Sequence, residues 1–210
     1  MQPDEIEKKS FEIIEKEAGA HGFDPPSWTV VARMLHTSAD FDYLQTVRIH
    51  PRAISAGISA IRGGRPIYTD TRMAMAGIRR RDLNAYGCEV KCLMAEPAIA
   101  ETAAQKGITR AEAAVEAAAA DLSGGIYVVG NAPTALLKLI ALIHSASARP
   151  ALVVGLPVGF VNAAESKAEL LKTDIPYITN KGRKGGSNVA AAVVNALIQM
   201  ADTRHAGDKK

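Results

Sequence analysis

The chain is poor in the patterns that announce most common chemistries. It has no H-E-x-x-H, no G-x-S-x-G, no EF-hand loop and no G-x-G-x-x-G after a first strand. Zinc-protease, hydrolase, calcium-sensor and dinucleotide readings therefore have no positive support. The Gly-rich stretch Lys181–Asn188 lacks the G-x-x-x-x-G-K-[ST] order of a Walker loop. Cysteine is scarce. Cys88 and Cys92 sit four apart, which is neither a redox pair nor half of a zinc site. Two buried, reduced thiols and a cytoplasmic home are expected. Aromatics are only 5% of residues, so Ala, Val, Ile and Leu must fill the core. Neither charge sign dominates: the net charge of +3 argues against a nucleic-acid partner. Arg79-Arg80-Arg81 has no interleaved aromatics and reads as a solvated helix end. No long hydrophobic run exists. The best, residues 135–143, is broken by Lys138 and is too short to span a bilayer. The first residues carry no apolar stretch of a signal peptide.

What remains is an ordinary soluble composition, 48% hydrophobic and 22% charged over 210 residues. That size fits one domain, residues 1–210, with a polar, frayed tail from about 202. Short β-rich runs alternate with helical patterns. Expected strands are 46–49, 66–69, 89–94, 125–129, 151–155 and 176–179. Expected helices are 52–62, 110–122, 134–145, 162–171 and 189–200, with two more, 5–18 and 27–39, before the first strand. Residues 126–129 and 151–154 are continuously apolar, as parallel strands covered on both faces are. The alternation predicts an α/β sheet with right-handed crossovers, doubly wound and mainly parallel.

In such a sheet function collects after the carboxyl ends of the strands. Four loops stand out there: residues 69–73, 130–134, 155–160 and 180–188. The last has the parts of an anion site. Gly182, Gly185 and Gly186 permit close approach, Ser187 or Asn188 would cap the next helix, and Lys181, Arg183 and Lys184 add charge. A flexible solvated loop is the bland alternative. In the second helix, with Ser27 as the expected N-cap, Trp28, Val31, Ala32, Leu35 and Ala39 form an apolar face. Thr29, Arg33, His36, Thr37 and Asp40 form the stripe beside it. His36, at the edge, would be half-buried and able to donate a proton near neutral pH; an inert surface histidine is the alternative. In the first helix Asp4 and Glu7 have capping-box spacing. Ser10 falls among Ile6, Ile13 and Ile14, either facing a pocket or bonding back to residue 6.

Five motifs in order extend the reading: residues 32–36 (Ala-Arg-Met-Leu-His), 130–136 (Gly-Asn-Ala-Pro-Thr-Ala-Leu), 155–161 (Gly-Leu-Pro-Val-Gly-Phe-Val), 164–167 (Ala-Glu-Ser-Lys) and 182–187 (Gly-Arg-Lys-Gly-Gly-Ser). Together they resemble the precorrin-8X methylmutase family of cobalamin biosynthesis, from about Ser10 to Leu197. The resemblance implies a flavodoxin-like fold and a homodimer with the site near the subunit interface. It implies an isomerase that moves a methyl group from C-11 to C-12 of a corrinoid, giving hydrogenobyrinate or its cobalt form. His36 matches the family's proton-handling histidine; Ser10, Arg33 and Arg110 match substrate contacts. The matched motifs add Asn131, Thr134, Arg183 and Ser187 as substrate-binding candidates. No resident cofactor or metal is expected, any cobalt belonging to the substrate. A non-catalytic tetrapyrrole carrier on the same fold is the alternative.

Overall fold

The computed structural model describes residues 2–202; the expected tail beyond 202 lies outside them. The chain opens with two helices, α1 (Pro3–Ala18) and α2 (Pro25–Ser38), and a short turn of helix, α3 (Tyr43–Thr46). There follow β1 (Val47–Ile49), α4 (Ala53–Arg62), β2 (Ile67–Thr69), α5 (Arg72–Gly77), α6 (Arg80–Leu83) and β3 (Val90–Lys91). The second half runs α7 (Pro97–Lys106), α8 (Arg110–Ala119), β4 (Ile126–Val129), α9 (Pro133–His144), β5 (Leu152–Gly155), α10 (Ala163–Leu170), β6 (Tyr177–Asn180) and α11 (Ser187–Ala201).

All six expected strands form one sheet in the order β1-β6-β5-β4-β2-β3. Strands β2 to β6 are mutually parallel, and β1 runs antiparallel to β6 at one edge. Counting only the parallel strands, the order is 2-1-3-4-5, a doubly wound sheet whose switch point lies between β2 and β4. Period-two alternation divides the strands' side chains between two cores. Ile126, Val128, Leu152, Val154 and Ile178 face α2, α4 and α11. Tyr127, Val129 and Val153 face α8, α9 and α10. Glycine at 57 lets α4 lie against the sheet, because a Cβ there would meet Leu152 and Leu197 at 2.9 Å.

Some boundaries differ from the sequence reading. The third strand ends at Lys91, and residues 93–95 turn into a 3-10 helix rather than extending it. Helices α5 and α7 were not expected. α7 is Ala-rich and buries only Ile99 and Ala103, so its periodicity is faint. The cap of α2 is Asp24, whose carboxylate accepts from Ser27 N at 2.9 Å; Ser27 lies inside the helix. In α1 the reciprocal cap is formed by Gln2 and Glu5, not Asp4 and Glu7, because the helix begins at Pro3. Of α1's three isoleucines only Ile14 is buried; Ile6 and Ile13 are 52% and 47% exposed.

Candidate active site

The antiparallel edge strand places the first part of the site. β1 runs opposite to β6, so Val47 pairs with Asn180 and Lys181 N donates to Thr46 O at 2.9 Å. The segment that feeds β1 therefore arrives at the carboxyl ends of the parallel strands. That segment is α3, which the chain reaches directly from the end of α2. Ala39 stops α2 in the left-handed region (φ 51°), an uncommon backbone for a residue with a Cβ. Asp40 and Asp42 follow at once.

His36 sits in the last turn of α2 and is exposed rather than half-buried. The turn points it away from the face that buries Val31, Met34 and Leu35. Its ring stacks on Phe11 of α1, with centroids 5.0 Å apart and planes 15° from parallel. Ser10 and His36 line one open groove of about 300 Å³. The Ser10 hydroxyl donates to Ile6 O at 2.8 Å, the back-bonded geometry. A back-bonded hydroxyl keeps its oxygen lone pairs available to a ligand donor. Arg33 lies one turn earlier, 4.7 Å from the Phe11 ring, and lines a neighbouring cavity. Its guanidinium pairs with Glu7 and donates to Gln199 Oε1 at 3.1 Å.

The switch point supplies the second part. Asp70 follows β2 and is 1% exposed. Its carboxylate accepts from the N–H groups of Gly130, Asn131 and Ala132 at 2.8, 2.8 and 2.7 Å. Burial pushes this carboxyl above its usual range, and the three N–H bonds oppose the shift. One buried side chain thus shapes the loop after β4 and the entry to α9. Asn131 extends from that loop into solvent. The hydroxyl of Thr109, which caps α8, donates to Thr134 Oγ1 at 3.3 Å, so Arg110 begins its helix beside the start of α9. Gly130 is packed so closely on α11 that a Cβ would stand 2.7 Å from Ser187 Cα. Ser187 is buried, and its hydroxyl lies 2.8 Å from Thr71 Oγ1. The expected cap of α11 is not made: the N-cap position is Gly186, and neither Ser187 nor Asn188 caps through its side chain.

The Gly-rich loop after β6 supplies the third part. Asn180 Nδ2 donates to Lys181 O and Lys184 O at 3.1 and 2.9 Å. Gly159 N donates to Arg183 O at 3.2 Å. Three carbonyls are thereby taken up within the protein. The N–H groups of Gly182, Arg183, Lys184 and Gly185 make no hydrogen bond among the described residues. Backbone N–H groups left without a partner on an exposed loop can donate to an anion. The three cations differ. Lys184 is engaged by Asp40 and Asp42, each at 2.6 Å, and this pairing holds its ammonium well above the usual lysine range. Arg183 lies 5.6 Å from the ring of Phe160, which is 85% exposed. Lys181 is exposed and makes no ion pair among the described residues.

The expected site residues thus fall into three neighbourhoods of the chain. Ser10, His36 and Arg33 flank Phe11. Arg110, Asn131 and Thr134 gather at the starts of α8 and α9. Arg183 tops the Gly-rich loop, with Ser187 packed at its base. The Lys184 ion pairs tie the end of α2 to that loop. Asp70, Phe160 and Lys167 were missed as individual residues. Asp70 and Phe160 lie in loops whose composition had marked them, and Lys167 lies in the matched Ala-Glu-Ser-Lys segment.

Comparison with known proteins places this geometry. Residues 5–200 match the family profile described as precorrin-8X methylmutase. The chain is 46% identical over 203 residues to the cobalt-precorrin-8 methylmutase of Priestia megaterium, covering 97% of this chain and 90% of that one. It is 39% identical over 195 residues to the precorrin-8X methylmutase of Pseudomonas aeruginosa, covering 91% and 93%. The fold superimposes on the crystal structure of precorrin-8x methyl mutase from Thermus thermophilus with a TM-score of 0.89 and 45% identity, covering 99% of this chain and all of that one.

Proposed function

The chain belongs to the precorrin-8X methylmutase family of cobalamin biosynthesis and is a methylmutase, an isomerase; from that premise we propose that it moves a methyl group from C-11 to C-12 of precorrin-8X or its cobalt form. The observation that carries the reading is the position of His36. Its imidazole is exposed on the wall of a groove that Ser10 also lines, at the helix end tied to the anion-receptive loop. A proton lent by His36 to a ring nitrogen withdraws electrons from the macrocycle. The bond from the methyl carbon to C-11 then breaks as the bond to C-12 forms, and the proton returns to the imidazole. No electron, group or proton is gained overall, so the step calls on no electron or group donor. General-acid help of this kind is typically ~10²–10⁴-fold. Holding the macrocycle in a reactive shape supplies further acceleration.

The substrate carries several carboxylate arms. The free N–H groups of residues 182–185, with Lys181 and Arg183, suit them. The Ser10 groove alone, at about 300 Å³, matches only the low end of the ~300–1,000 Å³ typical of drug-sized ligands. A corrinoid needs more. Ile6 and Ile13, exposed on the helix that carries Ser10, suit burial against a second copy. The active form is accordingly a two-fold dimer in which both subunits wall the site. Two free cysteines suit a reducing cytoplasm, and among the described residues no helix is long and apolar enough to cross a membrane.

Incubation of the purified protein with precorrin-8X, followed by absorbance, tests the function. A catalyst shifts the chromophore to that of hydrogenobyrinate. A bound but unchanged spectrum would identify a carrier instead. Sedimentation tests the assembly: the mass should be twice 22.2 kDa, and a monomer with full activity would refute the shared site.

A further inference from the structure

Among the groups that this chemistry leaves unused, Lys167 is the most anomalous. It sits in α10 with its side chain completely buried, and no carboxylate pairs with it among the described residues. An unpaired buried ammonium is among the costlier groups a fold can hold, and an apolar side chain of similar length would pack there without desolvating a charge. Burial pushes its pKa down to about 8, so the ammonium form still predominates at neutral pH.

What Lys167 holds is specific. Nζ donates to Lys184 O at 2.6 Å and to Asn180 Oδ1 at 3.1 Å. The same Asn180 donates through Nδ2 to Lys181 O and Lys184 O. Lys167 therefore clasps the Gly-rich loop directly, at Lys184 O, and again by fixing the amide of Asn180. Gly185 is pressed against the backbone carbonyls of Leu156 and Pro157, where a Cβ would not fit. The loop is thus held through its own carbonyls, at Lys181, Arg183 and Lys184. Among the described residues its N–H groups from Gly182 to Gly185 have no partner, and the Arg183 side chain beside them is exposed.

We propose that Lys167 is a positioning residue that holds the loop over residues 181–185 in its anion-receptive form, so that these N–H groups and Arg183 meet a carboxylate arm of the substrate. The substrate part of this inference rests on the corrinoid reading above; the clasp on the loop does not.

The test uses the full chain with Lys167→Met, which removes the charge and the donors at similar length, and Lys167→Gln, which keeps a donor without charge. The loop contains three trypsin sites, at Lys181, Arg183 and Lys184. In Lys167→Met, cleavage within the loop should rise at least ~5-fold while the melting temperature changes little, because the relief of a buried charge offsets the acceptor of Asn180 left without its donor. Affinity for hydrogenobyrinate, followed by absorbance, should fall by ~10-fold, more than the single-turnover rate at saturation falls. Lys167→Gln should fall between the two. Wild-type cleavage and wild-type affinity in Lys167→Met would overturn the proposal, as would a lower melting temperature with both unchanged. If Lys167→Met does not fold, Lys167→Gln is read by the same criteria. A wild-type protein that neither binds nor converts the corrinoid would remove the substrate reading, whereas the protease result would still decide whether Lys167 holds the loop.

Discussion

Lys184 Nζ lies 2.6 Å from Asp40 Oδ2, and this contact joins residues 144 positions apart. It fastens the Gly-rich loop to the turn that ends the His36 helix. Asp42 grips the same ammonium at 2.6 Å. The Lys184 ammonium holds the Asp40 carboxyl below the usual carboxylate range. Its folded pKa is therefore lower than its unfolded one. The tether is complete above the ordinary carboxylate pKa of ~4 and is lost as pH falls through the lower folded value. The amide resonances of Gly182 and Gly186 should accordingly hold steady from neutral pH to ~4 and move below it. In an Asp40→Asn, Asp42→Asn double variant they should differ from wild type already at neutral pH. Identical spectra would mean that the pair does not shape the loop.

Asp70 gives a prediction about stability. Truncation to Ala strands three N–H groups at the switch point, two of them on residues at least half covered by neighbouring structure. The loss should be about 2–4 kcal/mol, somewhat reduced because a buried charge also disappears. Urea unfolding measures it. A change below about 0.5 kcal/mol would mean that the loop after β4 holds its shape without this carboxylate.

Lys167 gives a prediction about pH. Its folded pKa, about 8, lies below its ordinary value of 10.5. Between those values the unfolded chain binds more protons, so stability rises with pH. The penalty for burying the ammonium is full below pH 8 and relieved towards 10.5. Any stability advantage of Lys167→Met over wild type should therefore shrink from pH 7 to pH 10, by up to about 3 kcal/mol. Tyr43 and Tyr68 are pushed up to about 12 by burial and stay protonated across that window. A difference between the two proteins that does not change with pH would contradict the charged, buried state.

His36 gives a prediction about chemistry. His36→Ala removes the proposed proton donor and its stacking on Phe11 but no buried group. Single-turnover conversion should fall ~10²–10⁴-fold, with corrinoid affinity changed far less. Conversion near the wild-type rate would remove His36 from the mechanism.

The strands were legible because β4 and β5 are short, apolar runs bounded by Gly and Pro, and tertiary packing keeps them where that pattern puts them. The helix α7 was not, since its alanines carry almost no periodicity and it packs in a small satellite cluster with α8. His36 could be read from helix periodicity, because an amphipathic helix shows its edges in sequence. Its burial could not, because that depends on what α1 covers. Asp70 was hidden for another reason: an aspartate after a strand is ordinary turn chemistry, and its three partners lie 60 or more positions away. Lysine in a helix normally points to solvent, so nothing local marks Lys167 as buried. The loop's three cations looked equivalent in sequence, and only the fold assigns Lys184 to Asp40 and Asp42.

The most direct measurement follows the methyl group itself. Precorrin-8X carrying a ¹³C-labelled methyl at C-11 is incubated with the wild-type protein, and the product is examined by carbon NMR. The label should appear at C-12 in hydrogenobyrinate, with none lost to solvent or to added unlabelled substrate. A label that remains at C-11 while the corrinoid stays bound would contradict the methyl shift.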